Sequence, residues 1–433
     1  MTMPTMSASE IVLIALTVIL AVLCATRRLL RTDHLAPRFV LRFVAAFMVL
    51  AAAAVHAEVP GGVPATVAVT FDRHAIRPAV AEGLADRTTG RTVTADDPVR
   101  IASISKLVTA LGVMRLVDAG TLDLDRDVSE YLGWRLRHPA FPDRPITLRQ
   151  LLSHRSGLTD GADYIIPLGE TLRQRLADPR AWDPAHGPGD DWFHYTNLNF
   201  PVVASVMEAA TATRFDRLMQ RLVLRPLRLS ACYNWSGCNA AEAARAVVLY
   251  RADGSVAKDD LRGVLPTCPV VVAEGKPCDL EAYTPGWNGA LFSPQGGLRI
   301  SMNDLARVGQ MFARGGRGFL SPASFAALTT PQWRFNGQNG VGENGEPDGF
   351  FCAYGLGVQL IGNADPGCND DPFRDGIPRL GHPGEAYGLR SGLWLDARTG
   401  RGAAFFTTAV PDDTAKGASA FTAAEEAVLK RVR

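Results

Sequence analysis

The stretch Ile101–Gly120, IASISKLVTALGVMRLVDAG, predicts the first long helix of the chain. Its apolar residues fall at the i, i+3 and i+4 spacing of a buried helix face, and the closing glycine is typical of a helix end. Ser103 and Lys106 stand three positions apart and therefore share one face. A serine here is ordinarily an N-cap. The alternative is a nucleophile, because burial lowers the pKa of a lysine and lets its neutral amine accept the hydroxyl proton.

Strand patterns lie at both ends of the chain, outward from this helix. Alternating apolar residues predict strands at 66–71, 78–83, 354–362, 389–397 and 402–410. Helical patterns occupy 148–152, 202–211, 215–223, 302–314 and 421–432. We expect an α/β (α+β) fold, in which an antiparallel sheet of N- and C-terminal strands is flanked by helices and interrupted by a mainly helical domain. Residues 58–102 and about 330–433 would form the α/β part, and about 103–330 the helical part.

The composition of the 433 residues supports a globular protein. They are 47% hydrophobic and 21% charged, a balance that allows a sizeable core and excludes a wholly disordered chain. The 45 basic and 44 acidic residues leave a formal net charge of +1. Nucleic acid is not expected as a partner, because binding phosphates requires a concentrated positive field.

Two apolar runs, Ile11–Ala25 and Phe39–Ala57, open the chain and are separated by several arginines. The second run ends in small residues and is typical of a secretory signal peptide cleaved before Glu58, in which case the true start would lie in the arginine-rich stretch and roughly the first 30 residues would be an upstream extension. Alternatively, the first run tethers the protein to the inner membrane, although a span needs roughly 20 apolar residues. Both hypotheses make residues 1–57 a signal or membrane segment, limit membrane contact to it, and place residues 58–433 in the periplasm. The flanking arginines disfavour two buried core helices.

Six cysteines follow the N-terminal segment as three local pairs. They are Cys232 and Cys238, Cys268 and Cys278, and Cys352 and Cys368. In an oxidising compartment an even count predicts disulfides, and the short loops favour local pairing because closing them costs little chain entropy. Six buried free thiols are the alternative. No CxxC or HExxH motif occurs, so we expect neither a metal nor another cofactor.

The pattern Ser-x-x-Lys is weak by itself, and it recurs at Ser255–Lys258 in a polar turn that we expect to be exposed. Two further motifs support the first copy. Tyr195-Thr196-Asn197 is the only Tyr-x-Asn of the chain and precedes a helical pattern. His382-Pro383-Gly384 is the only His-x-Gly and precedes a strand-like stretch.

In this order and at these intervals, the three motifs resemble those of the serine β-lactamase and penicillin-binding protein superfamily. The Tyr-x-Asn form with histidine in the third motif resembles its class C, DD-peptidase and esterase branch. The resemblance runs from about Thr66 to Val410. It is supported by the segments 146–158, 293–308 and 354–358.

The resemblance implies a β-lactamase/transpeptidase-like fold, with the site in a cleft between a helical and an α/β domain. Ser103 would be the acylated nucleophile. Lys106 would share its proton with Tyr195, the general base and later acid. Asn197 would hydrogen-bond Lys106 or a substrate amide.

The third motif would complete the site. The backbone N–H groups of Ser103 and Glu385 would form an oxyanion hole, and His382 and Gly384 would contribute to the opposite wall of the cleft. In the superfamily this motif usually has Lys, Thr and Gly, which help to hold a substrate carboxylate. Here Pro383 offers neither a hydroxyl nor an N–H, and an unperturbed histidine is mostly neutral near pH 7. This departure disfavours β-lactams and favours an esterase or a peptidase with a different anchor.

The sequence therefore predicts a serine hydrolase with a small-molecule ester, amide or peptide as substrate. An esterase or a D-amino-acid peptidase or amidase is the first hypothesis. The alternatives are a β-lactamase or DD-carboxypeptidase acting on cell-wall peptides, and a non-catalytic protein that binds such peptides or β-lactams in the same cleft.

Overall fold

The computed structural model describes residues 64–342 and 345–432. The expected signal or membrane segment, residues 1–57, lies outside these ranges, so its insertion and cleavage stay predictions. In the part of the chain that is described, no helix combines the length and the apolarity needed to cross a membrane.

The described ranges contain seventeen β-strands, most of them short. Their bounds are β1 (Thr66–Phe71), β2 (Ile76–Glu82), β3 (Leu84–Asp86), β4 (Arg91–Thr92), β5 (Val99–Arg100), β6 (Phe193–His194), β7 (Cys232–Tyr233), β8 (Leu249–Tyr250), β9 (Val256–Lys258), β10 (Leu298–Ile300), β11 (Trp333–Arg334), β12 (Gly340–Val341), β13 (Ala353–Tyr354), β14 (Gln359–Ile361), β15 (Arg379–Ala386), β16 (Leu389–Asp396) and β17 (Arg401–Thr407).

The same ranges contain ten α-helices. Their bounds are α1 (Ile104–Asp118), α2 (Ser129–Leu132), α3 (Leu148–Leu152), α4 (Leu172–Arg175), α5 (Asn199–Thr211), α6 (Phe215–Met219), α7 (Ala240–Ala244), α8 (Met302–Ala313), α9 (Pro322–Thr329) and α10 (Ala423–Lys430). A 3₁₀ turn at Pro179–Ala181 and a π-helical turn at Gln220–Leu224 complete the helical elements.

Eight strands form one sheet in the order β11–β13–β14–β15–β16–β17–β1–β2. Every neighbouring pair is antiparallel. Strand β1 lies between β17 and β2, with Thr66 opposite both Thr407 and Glu82. The N- and C-terminal strands therefore meet in one antiparallel sheet flanked by helices, which confirms the fold class expected from the sequence.

Helices cover both faces of this sheet. Val67 and Val69 of β1 belong to the core that includes α1 and α8, whereas Ala68 belongs to a second core that includes α10. Successive side chains of a strand point to opposite faces, so a doubly covered strand is apolar throughout. On α8, a Cβ at Gly309 would lie 2.2 Å from the ring of Phe71, and the glycine lets this helix approach the sheet closely.

The predicted division of residues 58–433 into an α/β part and a helical part stays a prediction, and two helices are relevant to it. Helix α8 lies within the span assigned to the helical part, but it packs on β1, β16 and β17. Helix α1 contacts both the sheet strand β15 and the helices α5 and α6. Helix α1 therefore packs between the sheet and other helices.

Strand β15 corrects one detail of the prediction. The sequence placed the His-Pro-Gly motif before a strand, whereas the motif lies inside Arg379–Ala386. Pro383 is opposite Gly392 of β16, and β14 pairs on the other edge only with residues 379–381. A proline cannot donate to a strand ladder, and it is tolerated here because this edge is no longer paired with a strand.

Three disulfides join the cysteines in the predicted local pairs. Cys232–Cys238, Cys268–Cys278 and Cys352–Cys368 have Cα–Cα separations of 5.5, 6.0 and 5.9 Å. These separations are ordinary for disulfides. The alternative of six free thiols is excluded.

Candidate active site

Ser103 lies at the turn between β5 and α1. The residue before it, Ala102, has a φ of 49°, in the left-handed region that costs an alanine about 1–2 kcal/mol. Ser103 occupies the N-cap position of α1, but its side chain makes no capping hydrogen bond. The ordinary N-cap interpretation is therefore wrong, and the hydroxyl is held elsewhere.

The partner of this hydroxyl is Lys106, whose side chain is fully buried. Its Nζ lies 2.9 Å from Ser103 Oγ, 2.7 Å from Asn197 Oδ1 and 3.3 Å from the carbonyl oxygen of Gln295. An ammonium has three N–H donors, one for each acceptor. After loss of one proton, the lone pair could accept the Ser103 hydroxyl while the two other hydrogen bonds remain.

Asn197 is oriented by Asp160, a residue that the sequence analysis did not identify. One carboxylate oxygen of Asp160 accepts the backbone N–H of Asn197 at 2.8 Å and its Nδ2–H at 2.9 Å, and the other accepts the N–H of Leu198 at 2.9 Å. Burial raises the pKa of Asp160, while these hydrogen bonds and the charge of Lys106 oppose the rise. In the sequence it lies two residues after segment 146–158, and no local pattern distinguishes it from other aspartates in turns.

Tyr195 is held between two aromatic rings. Its ring stacks on His154 at 4.5 Å and on Phe351 at 4.6 Å between centroids. Lys106 Nζ lies 4.8 Å from the centroid of the Tyr195 ring. Aromatic pairs contribute about 0.5–1.5 kcal/mol each beyond area burial, so the plane of this ring is fixed in front of the amine.

The imidazole ring of His154, which packs on Tyr195, is in its neutral form. Its Nδ1 accepts the backbone N–H of Thr196 at 3.0 Å, which leaves the ring proton on Nε2. Burial and the nearby charge of Lys106 hold the pKa of His154 well below its ordinary value. This residue, too, was not identified from the sequence, although it lies in segment 146–158.

His382 is also buried and neutral. Its Nδ1 lies 2.6 Å from the Pro383 carbonyl oxygen, which can only accept, so Nε2 is left to accept the hydroxyl of Tyr354 at 2.8 Å. Burial and the charge of Lys106 lower the pKa of His382 to about 3. Its ring is fully buried, and the distance between its centroid and that of the Tyr195 ring is 6.2 Å.

The next residues bring β15 against the turn that carries Ser103. A Cβ at Gly384 would lie 2.3 Å from the Ile101 carbonyl oxygen and 2.4 Å from Ser391 Oγ, so only glycine allows this approach. Ser391 donates its hydroxyl to the same Ile101 oxygen at 3.1 Å. The carboxylate of Glu385 points outward, is 61% exposed and pairs with Arg390.

The second Ser-x-x-Lys pattern has no such environment. Ser255 and Lys258 are both exposed, and Val256–Lys258 is a strand paired with β8. The N–H of Ser255 donates to Asp253 in a polar turn. On a strand, positions i and i+3 point to opposite faces, so these two side chains do not meet.

The structure thus brings the first two motifs together around one hydroxyl and places the third beside them. A serine hydroxyl next to a buried amine, with the ring of a tyrosine 4.8 Å from that amine, is an arrangement suited to nucleophilic acyl transfer. Among the residues that the structure describes, no cluster of His, Cys, Asp or Glu side chains could hold a metal ion.

The comparison with known families agrees with this geometry. The family model described as Beta-lactamase matches residues 44–427. Since this match spans most of the sequence, the chain belongs to the Beta-lactamase family.

Two curated relatives and one solved structure illustrate the range of the family. The chain is 33% identical over 171 residues to esterase EstB of Burkholderia gladioli, covering 35% of this chain and 42% of the esterase. It is 31% identical over 137 residues to the D-alanyl-D-alanine-carboxypeptidase/endopeptidase AmpH of Escherichia coli K12, covering 30% of this chain and 35% of that protein. The D-amino acid amidase of Ochrobactrum anthropi superposes with a TM-score of 0.57 at 18% identity, covering 86% of this chain and 93% of the amidase.

These figures limit what the relatives show. The aligned regions span about two fifths of the length of the curated relatives. The amidase, at 18% identity, shows the fold alone. The family is that of serine β-lactamase-fold hydrolases, and the choice among ester, peptide and amide is a separate question.

Proposed function

We propose that residues 58–433 are an exported serine hydrolase that forms an acyl-enzyme on Ser103 and cleaves small esters or D-amino-acid amides and peptides. The observation that carries the proposal is the 2.9 Å contact between Lys106 Nζ and a Ser103 hydroxyl that does not cap its helix. Relatives named as an esterase and as a D-alanyl-D-alanine carboxypeptidase support this range of substrates.

In the acylation step, Ser103 Oγ attacks the substrate carbonyl carbon. The hydroxyl proton passes to the base formed by Lys106 and Tyr195 as the C–O bond to the enzyme forms. The carbonyl electron pair moves onto the substrate oxygen, which accepts the backbone N–H groups of Ser103 and Glu385. The N-terminus of α1 favours the same negative charge.

The intermediate then collapses. The carbonyl re-forms, the bond to the alcohol or amine leaving group breaks, and Tyr195 returns the proton to that leaving group. In deacylation, a water molecule attacks the acyl carbon and gives its proton to the same base. The bond to Ser103 Oγ then breaks, the proton returns to that oxygen, and the acid is released. His154 and His382 are neutral, so neither competes for the proton and both act as supports.

Covalent labelling tests the assignment of the nucleophile. Wild type treated with a fluorophosphonate should gain one adduct by intact mass, and peptide mapping should place it on Ser103. Ser103→Ala should abolish the adduct, whereas the matched control Ser255→Ala should label like wild type. Equal loss in both variants, or labelling of another residue, would refute the assignment.

Pre-steady-state kinetics distinguishes an enzyme from a binder that uses the same cleft. With p-nitrophenyl butyrate, an acyl-enzyme that turns over gives a burst of p-nitrophenol followed by a steady rate. A non-catalytic binding protein would give neither the burst nor the steady rate.

Export belongs to the same proposal. The three disulfides agree with folding in an oxidising compartment. N-terminal sequencing of the protein from a periplasmic fraction should begin at or near Glu58 if the segment is cleaved. A protein that is found only in the cytoplasm would contradict this part of the proposal.

A further inference from the structure

A cavity of about 350 Å³ lies at the far end of α1 from the nucleophile. Arg115, in the last turn of the helix, lines it. Because a helix rises about 1.5 Å per residue, Arg115 lies about 18 Å from Ser103 along the helix axis. The cavity is therefore separate from the candidate active site.

Arginines dominate the lining of this cavity. Among the residues that the structure describes, five arginines and no aspartate or glutamate line it. The five are Arg115, Arg228, Arg307, Arg314 and Arg317. They come from three separate segments, namely α1, the turn before β7, and α8 with the turn that follows it. Like charges repel, so a cluster gathered from distant parts of the chain needs compensating negative charge.

Two of the five arginines are compensated by neighbouring carboxylates. Arg307 pairs with Asp304, which lies one turn earlier on α8. Against the effect of burial, hydrogen bonds from two serines and the charge of Arg115 lower the pKa of Asp118. Asp304 and Asp118 therefore balance Arg307 and Arg115.

The other three arginines have no such partner. Within residues 64–342 and 345–432, no ion pair is made by the guanidinium groups of Arg228, Arg314 and Arg317. Arg314 donates its Nε–H to a backbone carbonyl oxygen at 2.9 Å. Asp72, whose backbone carbonyl accepts a hydrogen bond from a glutamine of the lining, uses its carboxylate to pair with Arg77.

The ends of two helices offset part of this charge. Helices α1 and α8 both end beside the cavity, at Asp118 and Ala313. The C-terminus of a helix carries roughly half a unit of negative charge, so the two ends together offset about one of the three arginines. About two positive charges remain without compensation.

The turn that carries Arg228 is held in place. Arg228 has a φ of 57°, a left-handed conformation that is uncommon for a residue with a side chain. Its carbonyl oxygen accepts Arg307 Nη1 at 3.1 Å, and Asp304 accepts the N–H of Ser230 at 2.8 Å. Contacts with α8 therefore impose this backbone conformation, from which the Arg228 side chain lines the cavity.

We propose that this arginine cavity binds the phosphoryl group of a phosphate monoester. Such a group carries about −1.5 to −2 charges at pH 7, which matches the charge that remains without compensation. Guanidinium groups suit it because their planar donors match phosphate oxygens bidentately.

The cavity also has room for the organic part of the ester. Its volume lies in the range of ligand-binding clefts, about 300–1,000 Å³, and exceeds what a bare phosphate needs. The apolar side chains of its lining are Pro226, Leu227, Met311 and Phe319. The phosphoryl group would belong either to a free small ester or to the headgroup of a monoester lipid.

Calorimetric titration of the purified protein tests the proposal. Phenyl phosphate, which is largely a dianion at pH 7.5, should bind about tenfold or more tightly than phenyl sulfate, a monoanion of similar shape. Its affinity should fall as the salt concentration is raised. Equal affinity for the two esters, or no binding of phenyl phosphate, overturns the proposal.

Variants assign the binding to this cavity. Arg228→Gln combined with Arg317→Gln should weaken phenyl phosphate binding about tenfold or more, because both exposed side chains lose their charge. Arg180→Gln combined with Arg262→Gln is the control, since it removes the same charge from exposed arginines outside the lining. Thermal melts within a few degrees of wild type show that both pairs are folded. Binding that persists in the first pair, or that is lost equally in the second, overturns the proposal.

Vesicle sedimentation distinguishes the two sources of the phosphoryl group. If the source is a lipid, phosphatidylcholine vesicles that contain phosphatidate should sediment wild type more strongly than vesicles that contain the diester phosphatidylglycerol. The variant pair Arg228→Gln and Arg317→Gln should remove that difference. Phenyl phosphate binding without this pattern assigns the cavity to a free ester, and both results support the phosphoryl site. None of these measurements depends on acyl transfer at Ser103, so a failure of the proposed function would leave them decisive.

Discussion

Replacement of Asp160 by asparagine should slow acylation of Ser103 without preventing folding. Asp160 does not touch Ser103. It accepts three N–H groups from Asn197 and Leu198, and Asn197 in turn accepts Lys106 Nζ at 2.7 Å. The variant keeps the size of the side chain and replaces one acceptor oxygen with an NH₂ group that faces a donor.

The size of the effect follows from the hydrogen bonds that the variant breaks. At least one hydrogen bond to a charged acceptor disappears, worth about 1.5–3 kcal/mol. If that free energy is expressed in the transition state through misplacement of Asn197 and Lys106, kcat/KM falls roughly 10- to 150-fold. The same substitution removes a negative charge that favours the ammonium form of Lys106. The rising limb of the pH–rate profile should therefore move to lower pH.

The assay is the burst rate with p-nitrophenyl butyrate from pH 5 to pH 9, measured beside urea unfolding. Asp163→Asn is the matched control, because Asp163 is exposed, lies three residues away and caps only the N–H of Ile165. A merely structural role for Asp160 would lower stability and leave the pH profile in place. Unchanged acylation in Asp160→Asn, or an equal loss in the control, would refute the reasoning.

Three further outcomes are expected. Unfolded histidine binds a proton below about pH 6.5 and buried His382 only near pH 3, so the stability of wild type should fall as pH drops. Between pH 8 and pH 5, urea unfolding should show that wild type loses about 2 kcal/mol more than His382→Asn, and parallel pH dependences would contradict this. Gly384→Ala should reduce kcat/KM at least 100-fold, since its Cβ would meet the Ile101 carbonyl at 2.3 Å, and a twofold effect would be too small for that contact. Alkylation of the native protein without reductant should leave all six cysteines of residues 58–433 unmodified; labelling of any pair would break the corresponding disulfide assignment.

Sequence reasoning found the elements whose patterns are local. The strand at 66–71, the long helix after Ser103 and the terminal helix carry their own periodicity, and the structure places them within a few residues of the prediction. The pairing of the three disulfides followed from the short spacing of the cysteines, given an oxidising compartment. Strand β15 was missed because a proline and two glycines give it no strand pattern, and its pairing with β16 is what makes it a strand.

The sequence motifs predicted the reacting residues of the site, but they did not predict the residues that hold them in place. Ser103 and Lys106 share a helix face, so their contact follows from spacing. Asp160 and His154 become important only because the fold brings them against Asn197 and Tyr195. The family resemblance includes the segment that carries His154, but no local pattern marks either side chain as part of the site. The burial of His382 likewise depends on Tyr354, which lies 28 residues away.

The disulfide Cys352–Cys368 has a consequence for the maturation of the protein. Cys352 stands beside Phe351, one of the two rings that enclose Tyr195, and two residues before Tyr354, the partner of His382. This segment is therefore secured by a bond that forms only in an oxidising environment. Without this bond, the segment that places the Phe351 ring against Tyr195 would be held less firmly. If the protein is exported as proposed, formation of this disulfide would be a late step in the assembly of the site.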